Sequence, residues 1–337
     1  MATTIKDIAE KTGLGLATIS KHLNGGNVRP ENKIAIDKAV KDLNYSVNEA
    51  ARSLKTKRSF AIGVVLPEIN NSFFMQILTE MERVFKRENY VIVISDCRED
   101  EALEAESVRF LMNKSVAGII SFPVGRNSKY LKPALKAGVP VMLIDRTIPD
   151  LKGKVDSVII DNVEISRKAT EFLINNGHRN IGIIAGPENT YTADRRLQGY
   201  REILEENGIP VRPEHIARVD FTVEGGMNGL KKLMEKKTDI TAIYAVNHMM
   251  TLGALMGLRA KGLKVPDDIS FIGFDSMDWA KINIPSLTIV EQPMKSIGRQ
   301  AAELFIKRLG KKSDTMPKQS IVLSATLNIG ESVRSTS

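Results

Sequence analysis

The side chains of this 337-residue chain offer hydrogen bonds and charge rather than a reactive constellation. Gly13-Leu14-Gly15 opens a GxGxxG spacing, yet no strand-like run precedes it and Thr18 stands at the third glycine, so a dinucleotide loop is not expected. The sequence contains no Walker loop, nucleophile elbow or CxxC pair. Its four histidines, His22, His178, His215 and His248, are too dispersed to suggest a metal site. Catalysis, a metal and a cofactor are therefore not expected. A different chemistry sits near the N-terminus, where Leu16, Ala17, Lys21 and His22 fall on the outward side of a short predicted helix. Residues 1–59 hold eleven Lys and Arg against six Asp and Glu, five of the eight net positive charges of the chain. Such a segment suits a polyanionic partner, although a merely solvated surface would carry the same charge.

The elements that must hold those side chains follow from caps and periodicity. Thr4 stands at an N-cap with Asp7 as its capping-box partner, Ile5, Ile8 and Ala9 form an apolar stripe, and Gly13 stops the helix. After Leu14-Gly15 a second helix runs from about Leu16 to Asn24-Gly25-Gly26, with Ile19 and Leu23 facing the first. Pro30 suits the first turn of a third helix whose Ala39, Val40 and Leu43 close a small core. That is helix-turn-helix geometry, with the second helix placed for the major groove.

The remaining sequence alternates apolar runs at 61–66, 91–95, 117–122, 141–144, 157–160, 181–185, 242–246 and 269–273 with helix-length stretches such as 73–89 and 165–176. Runs such as VIVIS, AGIIS and IGIIA suit strands buried on both faces of parallel sheets. The expected body is doubly wound α/β, long enough for two lobes with a cleft at the carboxyl ends of the strands. A hydrophobic content of 42% with 26% charged residues is ordinary for a globular chain, and no run of membrane-spanning length occurs. The N-terminus has no apolar signal core and Cys97 is the one cysteine, so a cytoplasmic location without disulfides is expected.

Residues TIKDIAEKTGLGLATISKHLNG resemble the head of the lactose/galactose repressor family, with Ile5, Asp7, Ala9, Gly13, Thr18, Ser20, Leu23 and Asn24 matching its pattern. The resemblance implies that Leu16, Ala17 and Lys21 read bases and that Thr18 and Ser20 contact phosphates. Plain helix packing is the alternative for Leu16 and Ala17. Gly15 stands where the family usually has Ser, which removes a cap worth a few tenths of a kcal/mol, roughly. Asn48 to Arg58 carries the family's AARSL hinge, with Val47 in place of the usual Pro. By the resemblance this short helix folds when two copies meet on DNA, and Leu54 enters the minor groove as a wedge. Thr4, His22, Asn24, Asn48, Ala51 and Lys55 complete the DNA-facing set so implied.

Further family markers run through the body: VxxDN at Val158 to Asn162, GHRxI at Gly177 to Ile181, RxxG at Arg196 to Gly199, GFD at Gly273 to Asp275, and PSLT with Gln292. The chain therefore resembles a regulator with a head at 1–46, a hinge at 47–59 and a core at 60–337 similar to periplasmic sugar-binding proteins (type I). Its first lobe would span about 60–161 and 292–325, and its second about 162–291. The effector site so implied comprises Phe73, Asp145, Arg196, Phe221, Asn247, Asp275 and Gln292, a set suited to a polyol. Cap or turn roles are the alternatives for Asp145 and Asp275, and packing for Phe221. His248 stands where the family usually has Asp; a donor and positive charge there would admit a sugar acid or sugar phosphate, unless it only caps a helix. No leucine heptads follow Gly330-Glu331-Ser332, so a homodimer on a pseudo-palindromic double-stranded operator is expected. Two alternatives remain: a sugar-binding transport protein, or a protein corepressor docking on 296–312 through Arg299, Lys307 and Arg308. The wedge role predicts that Leu54→Ala weakens specific operator binding while sparing weak, salt-sensitive association. Equal losses in titrations of specific and random duplex would refute it.

Overall fold

The computed structural model describes residues 3–23, 26–45, 59–235, 239–275, 284–310 and 316–336. The chain divides into two compact units, Met1–Ser59 and Phe60–Ser337. In the first, α1 (Ile5–Thr12), α2 (Leu16–Leu23) and α3 (Pro30–Asp42) enclose Ile8, Ile19, Ile36 and Ala39. The Thr4 amide and hydroxyl both donate to the Asp7 carboxylate, at 2.7 and 2.9 Å. Gly13 closes α1 at φ 67°, a left-handed conformation that a side chain would strain.

The second unit begins with β1 (Ala61–Leu66), α4 (Ser72–Arg87), β2 (Val91–Asp96), α5 (Glu101–Asn113), β3 (Gly118–Ser121), α6 (Lys132–Lys136), β4 (Val141–Ile144) and β5 (Asp156–Ile160). It continues with α7 (Asn162–Asn175), β6 (Ile181–Ala185), α8 (Tyr191–Glu206), β7 (Ile216–Arg218), α9 (Val223–Glu235), β8 (Ala242–Ala245), α10 (His248–Ala260), β9 (Ser270–Phe274) and β10 (Thr288–Glu291). It closes with α11 (Met294–Leu309), β11 (Ser320–Leu323) and β12 (Thr326–Asn328). These strands form two six-stranded sheets, ordered β11-β5-β4-β3-β1-β2 and β12-β10-β9-β8-β6-β7. All pairings are parallel except β10 with β12. Each sheet founds one lobe, called proximal for β1 and distal for β6.

Alternation on the buried strands explains how helices cover both faces. Ile62, Val64 and Leu66 pack in one apolar cluster with Ile77, Met81 and Phe305 of α4 and α11. Val65 belongs to a second cluster with Val108 and Leu111 of α5. The apolar runs at 61–66, 141–144 and 181–185 form strands with those same bounds. Strands β7, β10, β11 and β12 lie outside the runs read as strands, and β11 and β12 are edge strands of three or four residues.

Two polar clamps fix the later part of the chain. Arg308, at the end of α11, is 3% exposed and forks onto Asp156 of β5, with Nε–Oδ2 at 2.5 Å and Nη2–Oδ1 at 2.8 Å. It also donates to the carbonyls of Met316 and Pro317, while the Gln319 amide donates to Asp156. Arg308 is therefore a structural cation that steers α11 back into β11, not the surface docking residue of the corepressor alternative. The second clamp is the histidine of the GHRxI motif. His178 Nδ1 stands 2.8 Å from Thr241 Oγ1, and its Nε2 stands 3.1 Å from the Arg334 carbonyl. Nearby, the buried Ser332 hydroxyl donates to Phe271 O and accepts from the Thr288 amide, so the closing segment is stitched to the distal sheet.

Removing one partner of a buried ion pair leaves an uncompensated charge, which costs about 3–5 kcal/mol. Arg308→Met is accordingly predicted to lower the unfolding free energy of the body by that order, seen as a lower urea midpoint, and an unchanged midpoint would show that the clamp is dispensable.

Candidate functional site

The head presents α2 as its candidate interface. Leu16, Ala17 and Lys21 are exposed, and Leu16 in particular is 46% accessible, which leaves the packing alternative without support. Thr18 and Ser20 are half-buried on the same helix. Two predicted residues are engaged within the head. Thr4 gives its hydroxyl proton to Asp7, and His22 Nε2 stands 2.6 Å from the Asp37 carboxylate, tying α2 to α3. Asn24, Asn48, Ala51, Leu54 and Lys55 lie outside the described residues.

In the body, the two sheets place a carboxylate at matching positions. Asp145 follows β4 and Asp275 follows β9, the corresponding strand of the second sheet. Both adopt left-handed backbone, φ 67° and 75°, and both donate their amide to the next strand, to Val158 O at 3.0 Å and Val290 O at 2.6 Å. Strained backbone of this kind persists only where its surroundings over-determine it. Here it turns one carboxyl from each lobe into a common cleft. Burial raises the pKa of both, against the pull of neighbouring arginines.

Arg196 of α8 is the buried cation between them. Its Nε donates to Asn162 Oδ1 at 2.7 Å and its Nη1 to Val246 O at 2.7 Å, while the guanidinium lies 3.8 Å from the Phe274 ring centroid. Gln292 Nε2 donates to Asp275 at 2.5 Å. Asn247 caps α10, accepting from the Met249 and Met250 amides. Phe221 closes the distal side, packed so tightly on Gly186 that a Cβ there would stand 2.2 Å from its ring. Phe73 and Phe74 form an edge-on aromatic pair on the proximal side.

All seven predicted effector residues, Phe73, Asp145, Arg196, Phe221, Asn247, Asp275 and Gln292, line this one cleft. Glu68, Asn71, Phe74, Glu99, Arg146 and Thr192 line it as well and were not read from the sequence. Arg146 is the most consequential of these. It forks onto Glu99 at 3.0 and 3.2 Å, donates to Pro123 O, and lies 5.6 Å from the Phe221 ring across the cleft. Its place directly after Asp145 at a strand end was the available signal. Beside the cleft, Arg126 of the proximal lobe pairs with Asp194 of the distal lobe at 2.7 Å. The space left within the cleft is only about 20 Å3, room for roughly one water.

Gln292 Oε1 is buried with no hydrogen-bond partner among the described residues, and Arg146 Nε makes no hydrogen bond either, although it is ion-paired with the Asp145 carboxylate at 3.5 Å. Such atoms call for an explanation, and an incoming hydroxyl could serve both. The His248 side chain is absent from the cleft lining, its backbone amide donates to Asp275, and burial pushes its pKa down. Beneath the cleft, Glu104 accepts from the Val124 amide, and burial pushes its carboxyl up to about 7 from an ordinary 4.5.

Two family models match the chain. "Periplasmic binding proteins and sugar binding domain of LacI family" matches residues 59–327, and "Bacterial regulatory proteins, lacI family" matches residues 4–48. Catabolite control protein A of Priestia megaterium is 31% identical over 315 residues, covering 93% of this chain and 94% of the relative. The HTH-type transcriptional repressor CytR of Escherichia coli K12 is 32% identical over 315 residues, covering 91% and 90%. Among solved structures, a transcriptional regulator CelR-cellobiose complex is similar at 30% identity and TM-score 0.74, over 98% of this chain and 99% of that one.

The Glu104 carboxyl gives a pH prediction. Between about 4.5 and about 7 the unfolded chain has released a proton that the folded chain keeps, so stability falls as pH rises through that window and levels off above it. Glu104→Gln keeps the acceptor for Val124 and is expected to remove of the order of 3 kcal/mol of that decline. Urea unfolding at pH 5 and pH 8 checks this, and the same pH dependence in both proteins would exclude it.

Proposed function

Because the chain belongs to the LacI family of bacterial regulatory proteins, we propose that it is a sequence-specific DNA-binding transcriptional repressor of carbohydrate-utilisation genes, controlled by a small neutral sugar in the body cleft. The head at 1–46 reads a pseudo-palindromic operator in the cytoplasm, the segment 47–59 is the hinge, and 60–337 is the effector-binding and dimerisation core. No catalytic step is assigned to it. The observation that carries this reading is the convergence of six motif-matched residues and Phe73 on one cleft between two lobes, where Gln292 Oε1 is buried without a hydrogen-bond partner among the described residues.

The charge of the cleft favours a neutral ligand. The carboxyl groups of Glu68, Glu99, Asp145 and Asp275 outnumber the guanidiniums of Arg146 and Arg196; burial raises the pKa of Glu68, Asp145 and Asp275, and carboxyls exchange hydrogen bonds with sugar hydroxyls in either protonation state, while Glu99 already holds Arg146. His248 lies outside the cleft lining, so the sugar acid and sugar phosphate alternatives lose the side chain that suggested them. The phenylalanine rings supply the apolar faces that sugar C–H surfaces need. A cellobiose complex of a relative places a neutral sugar on a protein of this kind.

With so little free space, a sugar enters only when the lobes part, and it then replaces Arg146 against Phe221 as the link between them. The effector thereby shifts the population of lobe arrangements, and operator affinity changes only by its differential affinity for those arrangements. A homodimer through the body fits the exposed apolar side chains of the β2 edge and α5, Val91, Ile94, Leu103 and Phe110. The transport-protein alternative leaves the helix-turn-helix head without a role.

A thermal-shift panel of neutral sugars, sugar acids and sugar phosphates tests the effector class, with saturable stabilisation expected from neutral members alone. Asp145→Asn should weaken that binding at least about tenfold, the scale of a hydrogen bond to a charged group, while the fold persists. Operator titration with and without the hit then tests the coupling. Binding indifferent to duplex sequence under every condition would end the repressor reading.

A further inference from the structure

A second concavity of about 780 Å3 lies along the proximal sheet and shares no lining residue with the cleft. Its floor is one face of three neighbouring strands, Leu143 of β4, Ser157 and Ile159 of β5, and Ser320 and Val322 of β11. Distal α8 forms the opposite side through Tyr191, Arg195 and Gln198. These recur at i, i+4 and i+7, whereas Thr192 and Arg196 on the adjoining face of the same helix line the cleft. One helix is thus the wall between two spaces.

The charge of this groove is opposite to that of the cleft. Arg126, Lys152, Arg195 and Lys318 reach it from four separate segments: the loops after β3 and β4, α8, and the approach to β11. Asp194 is the one carboxylate in the lining, and Arg126 and Arg218 already hold it at 2.7 and 2.8 Å. Arg195 reaches only Gln198 and the Tyr191 ring, and Lys152 and Lys318 have no carboxylate partner among the described residues. Three like charges gathered over an apolar floor are stabilised by an anion whose body can lie on that floor. Arg195 suits bidentate contact with a phosphate, the two lysines suit point-charge contact, and Tyr191 with Ile159 and Val322 suits a flat ring.

We propose that this groove binds a phosphorylated metabolite with a flat aromatic ring able to stack by its face, of the nucleoside monophosphate class, as a second ligand separate from the effector. The ligand would join distal α8 to β5 and β11, the two proximal strands that lead into the distal lobe, and so restrain the same lobe movement the effector controls.

Calorimetric titration of the full chain with AMP tests this, with inorganic phosphate as the second arm. Saturable AMP binding that weakens with salt is expected, with phosphate alone binding at least tenfold more weakly. The double variant Lys152→Gln/Lys318→Gln, with its fold checked by circular dichroism, should reduce AMP affinity at least tenfold, and Arg195→Gln should do the same. Lys21→Gln in the head should leave AMP binding unchanged, and Asp145→Asn in the cleft, which alters the lobe equilibrium, should not abolish it. The proposal is overturned if AMP does not bind saturably, if phosphate alone binds as well as AMP, or if the groove variants bind AMP normally. Loss of binding in Lys21→Gln or Asp145→Asn would likewise overturn it, by placing the nucleotide on the head or in the cleft.

Discussion

The body is organised around a guanidinium withdrawn from water. Arg196 sits at the meeting of the lobes, and burial alone would strip its charge of solvation. Asp275 from its own lobe and Asp145 from the other supply the opposing field, while Asn162 and the Val246 carbonyl hold its donors in place. None of these partners is adjacent to it in sequence, so the two sheets must both form before the charge is satisfied. Parting the lobes removes Asp145 and rehydrates the site; closing them demands polar groups that complete its hydrogen bonding. A molecule dense in hydroxyls meets that demand in a way that an apolar one cannot.

What could be read from the sequence follows the range of the physics involved. The head was legible because caps, a positive-φ glycine and a short apolar stripe are local signals: Thr4 with Asp7, Gly13, Ile8 and Ile19. The inner strands other than β10 were legible because burial on both faces writes unbroken apolar runs, and β2 was read from such a run although it is an edge strand with Val91 and Ile94 exposed. The edge strands β7, β11 and β12 were not, since three or four residues with mixed polarity carry little periodicity and are strands only by virtue of a neighbour.

Side-chain roles divide in the same way. The family pattern brought out the residues at strand ends that meet in the cleft, yet Glu99 and Arg146 escaped it, because their importance lies in a pairing across 47 positions. Arg308 misled for the same reason: in sequence it is one of several cations on an amphipathic helix, and only its partner 152 residues away shows that it faces inward. His22 is the milder case, outward by helical phase and yet held by Asp37 on the next helix along the head. A charge is legible from its neighbours only when its partner is one of them.

The order of the strands also sets how the lobes can move. The backbone passes from one sheet to the other three times, after β5, after β10 and after β11. Strands β5 and β11 are neighbours in one sheet, and β10 and β12 are neighbours in the other, so the three passages run side by side at one margin of the body. Three parallel tethers act as a strap: it folds easily about the line across its width, but it resists shear and twist. Lobe motion is thereby reduced from six rigid-body freedoms toward a single swing, and any molecule that stiffens the strap changes that swing even when it binds outside the cleft.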